Sequence, residues 1–95
     1  MSKFQVAHFK QQGIPLVVVF LDSSFDQKSE EEQIEVQSAL QICASSAGLE
    51  GTVVPVWIVG TSMRFRAPQN WHPFFRSDGL YPRLVGTINR ELTCG

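Results

Sequence analysis

The side chains that could do chemistry are few, and their spacing excludes more than it offers. His72 and Asp78, with Ser62 or Ser77, hold the residue types of an acyl-transfer triad. Neither serine sits in the G-x-S-x-G elbow that exposes a nucleophilic hydroxyl on a strand-to-helix turn, so composition alone carries that reading. The two histidines, His8 and His72, have no spacing that suggests a metal site, and neither a metal nor a cofactor is expected. Cys43 and Cys94 stand 51 positions apart and make neither a CxxC pair nor half of a zinc site. They are expected as a buried helical thiol and a frayed terminal one. Burial would raise the first thiol's pKa and leave it unreactive.

Two segments remain as candidate sites. Asp22-Ser23-Ser24-Phe25-Asp26-Gln27-Lys28-Ser29 joins the end of an apolar run to a helix start, the place where open α/β sheets commonly bind ligands. Ser23 and Ser24 are its candidate ligand groups, although the loop's acidity disfavours an anion and its residues suit turns and caps equally well. The second segment interleaves arginine with aromatic rings: Arg64, Phe65, Arg66, Trp71, His72, Phe74, Phe75 and Arg76. Stacking rings beside positive charge suit an anion or single-stranded nucleic acid. The formal net charge of −1 argues against nucleic acid, and the same residues suit a core lid or an interface.

The elements that must position these groups follow from patterning. Ser2 and Gln5 fit a capping box and Gly13 a helix stop, which predicts a helix over 3–12, although Phe4-Gln5-Val6 also fits a strand alternation. Residues 14–22, IPLVVVFLD, are apolar on both faces and predict the central strand. Ser29 and Glu32 form a second capping box ahead of Val36, Ala39, Leu40, Cys43 and Ala47, predicting a helix over 30–47. Residues 52–60, TVVPVWIVG, predict a strand that Pro55 confines to an edge. A short helix over 72–77 and a hairpin of 83–88 with 91–94, turning at Asn89-Arg90, complete the chain. The sheet order expected is 52–60, 14–22, 83–88, 91–94. An open apolar edge at Val56, Trp57, Ile58 and Val59 would then recruit a second copy and give a homodimer.

At 95 residues, 43% of them hydrophobic, the chain is expected to be one α/β domain over 1–95 that folds without a partner. Its charge is uneven. Residues 1–50 set three lysines against seven acidic residues, and residues 51–95 set five arginines against Asp78 and Glu91. The longest apolar stretch, Leu16 to Leu21, is too short for a membrane span, and no leader-like segment precedes it. A soluble, cytoplasmic protein is expected.

The order of elements, Gly13-Ile14-Pro15 leading into the central strand, the acidic-capped helix and Tyr81-Pro82 before the hairpin resemble the thioredoxin-like fold without its first strand. The resemblance implies a three-layer domain with a short mixed sheet and a cis peptide bond before Pro82. Where oxidoreductases of that fold carry Cys-x-x-Cys, this chain has no thiol, which excludes disulfide exchange. Glutathione-binding relatives use a loop hydroxyl and the cis-proline segment, which would give Ser23, Ser24, Tyr81 and Pro82 a ligand-binding role. The function expected is a non-catalytic binding or adaptor module that self-associates. A thiol-ligand binder and an anion binder at Arg64, Arg66, Trp71, His72 and Arg76 are the alternatives.

Overall fold

A computed structural model describes residues 2–94. The chain forms β1 (Ser2–Gln11), β2 (Ile14–Phe20), α1 (Glu30–Ser46), β3 (Thr52–Val59), β4 (Ser62–Phe65), α2 (His72–Phe75), α3 (Leu80–Val85) and β5 (Arg90–Cys94). The strands make one open mixed sheet in the order β4-β3-β2-β1-β5. β2 is central as expected, and Leu16 to Val19 are fully buried because both faces above them are covered. One face gathers Val6, Val17, Val19, Val53 and Leu92 under Leu40 and Ala44 of α1. The other gathers Ala7, Leu16, Val18, Val54 and Val56 under Trp71, Phe75, Leu80 and Leu84.

The helix expected over 3–12 is a strand. Gln12 (φ 54°) and Gly13 (φ 77°) both take positive φ, the pattern of a two-residue hairpin turn of type I′, and close β1 onto β2 with Gln11 opposite Ile14. Gly13 is therefore a turn residue rather than a helix stop. Val6 and Ala7 point to opposite faces and both are fully buried, a burial that a strand inside a sheet can give to adjacent residues.

α1 matches its expected bounds to within a residue. Ser29 Oγ accepts from the Glu32 amide (3.2 Å) and Glu32 Oε1 accepts from the Ser29 amide (3.3 Å), satisfying two otherwise orphaned donors. At the far end Gly48 (φ 81°) follows the cap. Leu49 N–H bonds Ala44 O (2.9 Å) and Gly48 N–H bonds Ser45 O (3.1 Å), the paired bonds of a Schellman ending.

β3 is not an edge. Gly60 (φ 63°) and Thr61 turn the chain back so that β4 pairs Val56 to Val59 with Phe65 to Ser62. The apolar edge that was to recruit a second copy is thus covered from within the chain. Pro55 explains where β4 stops. Its carbonyl accepts from the Arg66 amide (3.1 Å), but it has no N–H to return, and the Arg66 carbonyl is met instead by the Gln37 side-chain amide (3.4 Å).

Three expectations about the C-terminal third are corrected. Residues 80–85 are helical, with Leu80 and Leu84 buried one turn apart, so no strand spans 83–88 and no hairpin turns at Asn89-Arg90. β5 pairs antiparallel with β1 instead. Asn89 prolongs that pairing: its Oδ1 accepts from the His8 amide (2.9 Å) and its Nδ2 donates to the His8 carbonyl (2.8 Å). Pro82 falls in the first turn of α3, where its missing N–H costs nothing, and no cis peptide bond is present among the described residues. The short helix expected over 72–77 is α2, preceded by a 3-10 turn at Gln69–Trp71.

The cysteines are not free. Cys43 and Cys94 form a disulfide, with Cα atoms 5.9 Å apart, that bolts α1 to the outer strand β5. Sequence separation hides this contact because β5 reaches Cys43 only by lying beside β1. Leu92 and Cys94, two residues apart, share the face that α1 covers. Among the described residues, no helix is long and apolar enough to cross a membrane.

Candidate binding clefts

The loop after β2 is spent on structure. Residues Ser23–Gln27 wind into a 3-10 turn capped by Asp22, whose Oδ2 accepts from the Ser24 amide (3.2 Å). Phe25 is buried with its ring edge-on to Trp57 at 4.7 Å. The hydrogen bonds from Ser24 hold the Asp22 carboxyl below the ordinary aspartate range, and those from Ser29 do the same for Glu32. Tyr81 stands edge-on to Phe20 at 5.9 Å and, with Pro82, lines a cavity of about 550 Å³ under the β3–β4 turn. Neither Ser23 nor Ser24 lines that cavity, so the two halves of the expected thiol-ligand site do not share it.

The triad does not assemble around one cleft either. Ser62, Ser77 and Asp78 line the Tyr81 cavity, and His72 does not. The His72 Nε2 lies 3.1 Å from the Ala67 carbonyl, with its ring edge-on to Phe65, and the Ser77 hydroxyl donates to Pro73 O (3.2 Å). His8 Nε2 likewise bonds the Glu50 carbonyl at 2.8 Å. Both imidazoles thus tie loops down. No group of three or more metal-ligating side chains occurs among the described residues.

The arginine-aromatic segment does converge, with one exception. Trp71 is buried in the core, while Arg64, Arg66, His72 and Arg76 line one cleft of about 480 Å³ along β4. All five residues from Ser62 to Arg66 border it, as do Asp26, Gln33 and Trp57. Asp26 is its single carboxylate. Its Oδ1 accepts from Trp57 Nε1 (3.1 Å) and lies 3.8 Å from Arg64 Nε. Arg64 is 57% exposed, so this ion pair stabilises little and leaves the guanidinium free to turn outward. Arg66 is held without any carboxylate: Nη1 donates to Gln33 Oε1 (3.0 Å) and Nε to Gln37 Oε1 (3.3 Å).

The residues that position this cleft were overlooked in the sequence, although a signal was there. Gln33, Gln37 and Gln41 recur at four-residue spacing along one side of α1. Gln41 spans the start of β3, accepting from Val53 N–H (2.9 Å) and donating to Gly51 O (3.0 Å). Gln37 and Gln33 hold Arg66, and Gln33 also reaches Phe25 O at 3.0 Å. A third opening differs in kind. Between α1 and the β1–β5 margin lies an apolar groove of about 600 Å³, bordered by Phe4, Val36, Leu40, Cys43 and Cys94, with Ile42 beside it 69% exposed. No family model matches this chain, and no curated protein or solved structure matches it.

Proposed function

We propose that this chain is a non-catalytic binding module that recognises an anionic ligand in the cleft along β4. The observation that carries the reading is the convergence of Arg64, Arg66, His72 and Arg76 on one cleft holding the single carboxylate Asp26. That arrangement gathers positive charge, and among the described residues no imidazole bonds the Ser62 hydroxyl, although it borders the same cleft as His72. Both imidazoles are occupied as loop ties and the Ser77 hydroxyl bonds the Pro73 carbonyl, so no hydroxyl among the described residues is paired with an imidazole, which supports binding over turnover.

A thioredoxin-like thiol-ligand binder is the competing reading, and thermal unfolding with millimolar S-methylglutathione, which has no thiol to reduce Cys43–Cys94, separates the two. A ligand present at a hundred times its dissociation constant adds about 2.7 kcal/mol, which raises the melting temperature of a domain this size by roughly ten degrees or more. No shift is expected, and a shift of that size would reject the present reading. Self-association is not part of the proposal, since the edge on which it rested is paired with β4. A cytoplasmic setting is also set aside, because a disulfide persists in an oxidising compartment.

A further inference from the structure

Resting on that reading, we infer that the ligand is an extended acidic peptide that adds as a sixth strand to the free edge of β4. Three observations lead there. The first is register. The Arg66 amide bonds Pro55 O, and paired residues of an antiparallel ladder alternate between bonded and non-bonded positions. Phe65 and Met63 therefore direct their own N–H and C=O groups away from β3, towards the cleft that runs beside all five residues from Ser62 to Arg66. An unpaired strand edge lying in a cleft is a template for backbone hydrogen bonding, which a peptide supplies and a small anion or nucleic acid does not.

The second observation is the alternation of side chains along that edge. Arg64 stands opposite Trp57 on the α1 face, and Arg66 continues the same face. Met63 and Phe65 lie on the other face, packed against the Trp71–Phe75 cluster. A strand laid alongside would place alternate residues beside Arg64 and Arg66 and the rest beside Met63 and Phe65. The matching sequence alternates carboxylate with aliphatic side chains.

The third is charge. Three guanidinium groups face one carboxylate, so a second copy of this basic edge is repelled while an acidic strand is attracted. Arg76, at the end of α2, closes the cleft on the side away from α1 and adds a further contact for a peptide carboxylate.

The test is fluorescence anisotropy with a fluorescein-labelled eight-residue peptide of alternating aspartate and valine, using the full chain with its disulfide intact. Saturable binding at one peptide per chain is expected. The same peptide with lysine for aspartate, or with alternate backbone amides methylated, should bind at least about tenfold more weakly. Arg64→Glu and Arg76→Glu, each checked for unchanged melting, should together weaken binding by about tenfold, and Ile42→Ser in the distant groove should leave it unchanged. Undiminished binding of the methylated peptide would overturn the strand-addition geometry, as would equal affinity for a block peptide of four aspartates and four valines. Tighter binding of an oligothymidylate of equal charge would make the cleft a nucleic-acid site and overturn the inference, as would the absence of saturable binding. Failure here with no S-methylglutathione shift leaves the binding-module reading standing, whereas an S-methylglutathione shift rejects that reading whatever the peptide does.

Discussion

The two margins of the sheet are held to the same helix by different chemistry. At the β5 margin, α1 is fixed covalently through Cys43–Cys94 and borders an apolar groove. At the β4 margin it is fixed by neutral amides, Gln33 and Gln37, that hold the Arg66 guanidinium and its carbonyl. A covalent link limits how far the helix can leave one side of the sheet, while hydrogen bonds worth about 1 kcal/mol each permit adjustment on the other. Both margins end in an edge strand, but the adjustable one is bordered by the cleft that gathers Arg64, Arg66 and Arg76. The fold thus keeps its covalent tie on one flank and the proposed binding cleft on the other.

Removing the disulfide should break this comparison most severely. Cys43→Ser with Cys94→Ser frees a loop of 51 residues, and the chain-entropy account gives a loss of about 4 kcal/mol. For a domain whose total stability is on the order of 5–15 kcal/mol, that is a large share. Urea unfolding with and without reductant measures it. A midpoint that does not move under reduction would show that packing at Leu92 and Leu40, rather than the bond, secures the β5 margin.

Gly51 tests the ground between the margins. It takes φ 127° where the chain passes from α1 into β3, and a Cβ there would lie 2.6 Å from the Pro15 carbonyl oxygen. Backbone atoms cannot yield as a flexible side chain can, so Gly51→Ala should cost about 2–3 kcal/mol in urea unfolding. A cost within experimental error would mean that β2 and β3 slide apart easily at this end. Gln37→Leu should cost less, about 1–2 kcal/mol, because the Arg66 carbonyl and Nε lose their partner while remaining half-buried. Hydrogen exchange should then quicken at β4 and not at β5; equal quickening at both would mean that the helix moves as a unit and the margins are not independent.

How much of this was legible depends on whether a signal was local. β2 and α1 could be read because continuous apolarity and a capping box need no distant partner. β1 was misread since Ser2, Gln5 and Gly13 imitate helix boundaries, although Gln12-Gly13 followed by an apolar run also fits a hairpin turn. The strand expected over 83–88 depended on a hairpin turn at Asn89-Arg90, whereas Leu80 and Leu84 at helical spacing are the residues that the core buries. Cys43–Cys94 and the covering of β3 by β4 depend on where distant segments land, which no window of sequence contains. The arginines of the candidate cleft were legible by type. Their gathering around Asp26 and the exclusion of Trp71 into the core were not, because both follow from the turn at Gly60-Thr61 and the stop at Pro55.

The smallest effect expected concerns acid, and it separates the two ends of α1. Hydrogen bonds from Ser29 lower the Glu32 pKa, and those from Ser24 lower that of Asp22. A carboxylate whose folded-state pKa lies below its unfolded value contributes stability that is fully present above the unfolded value. That contribution declines as pH falls through the window between the two and is gone below the folded value. Acid should therefore loosen the first turn of α1, beside Gln33 and the β4 margin, while the end tied by Cys43 stays in place. Because both carboxylates are exposed, the change is small, and hydrogen exchange at the Glu32 amide, which bonds Ser29 Oγ, reports it more directly than global unfolding. Exchange there, corrected for the intrinsic rate, should accelerate on descending through the ordinary carboxylate range, and Glu32→Gln should abolish most of that dependence. If Glu32→Gln keeps the full acid response while Asp22→Asn removes it, the capping of the 3-10 turn, and not of the helix, is the acid-sensitive contact at this margin.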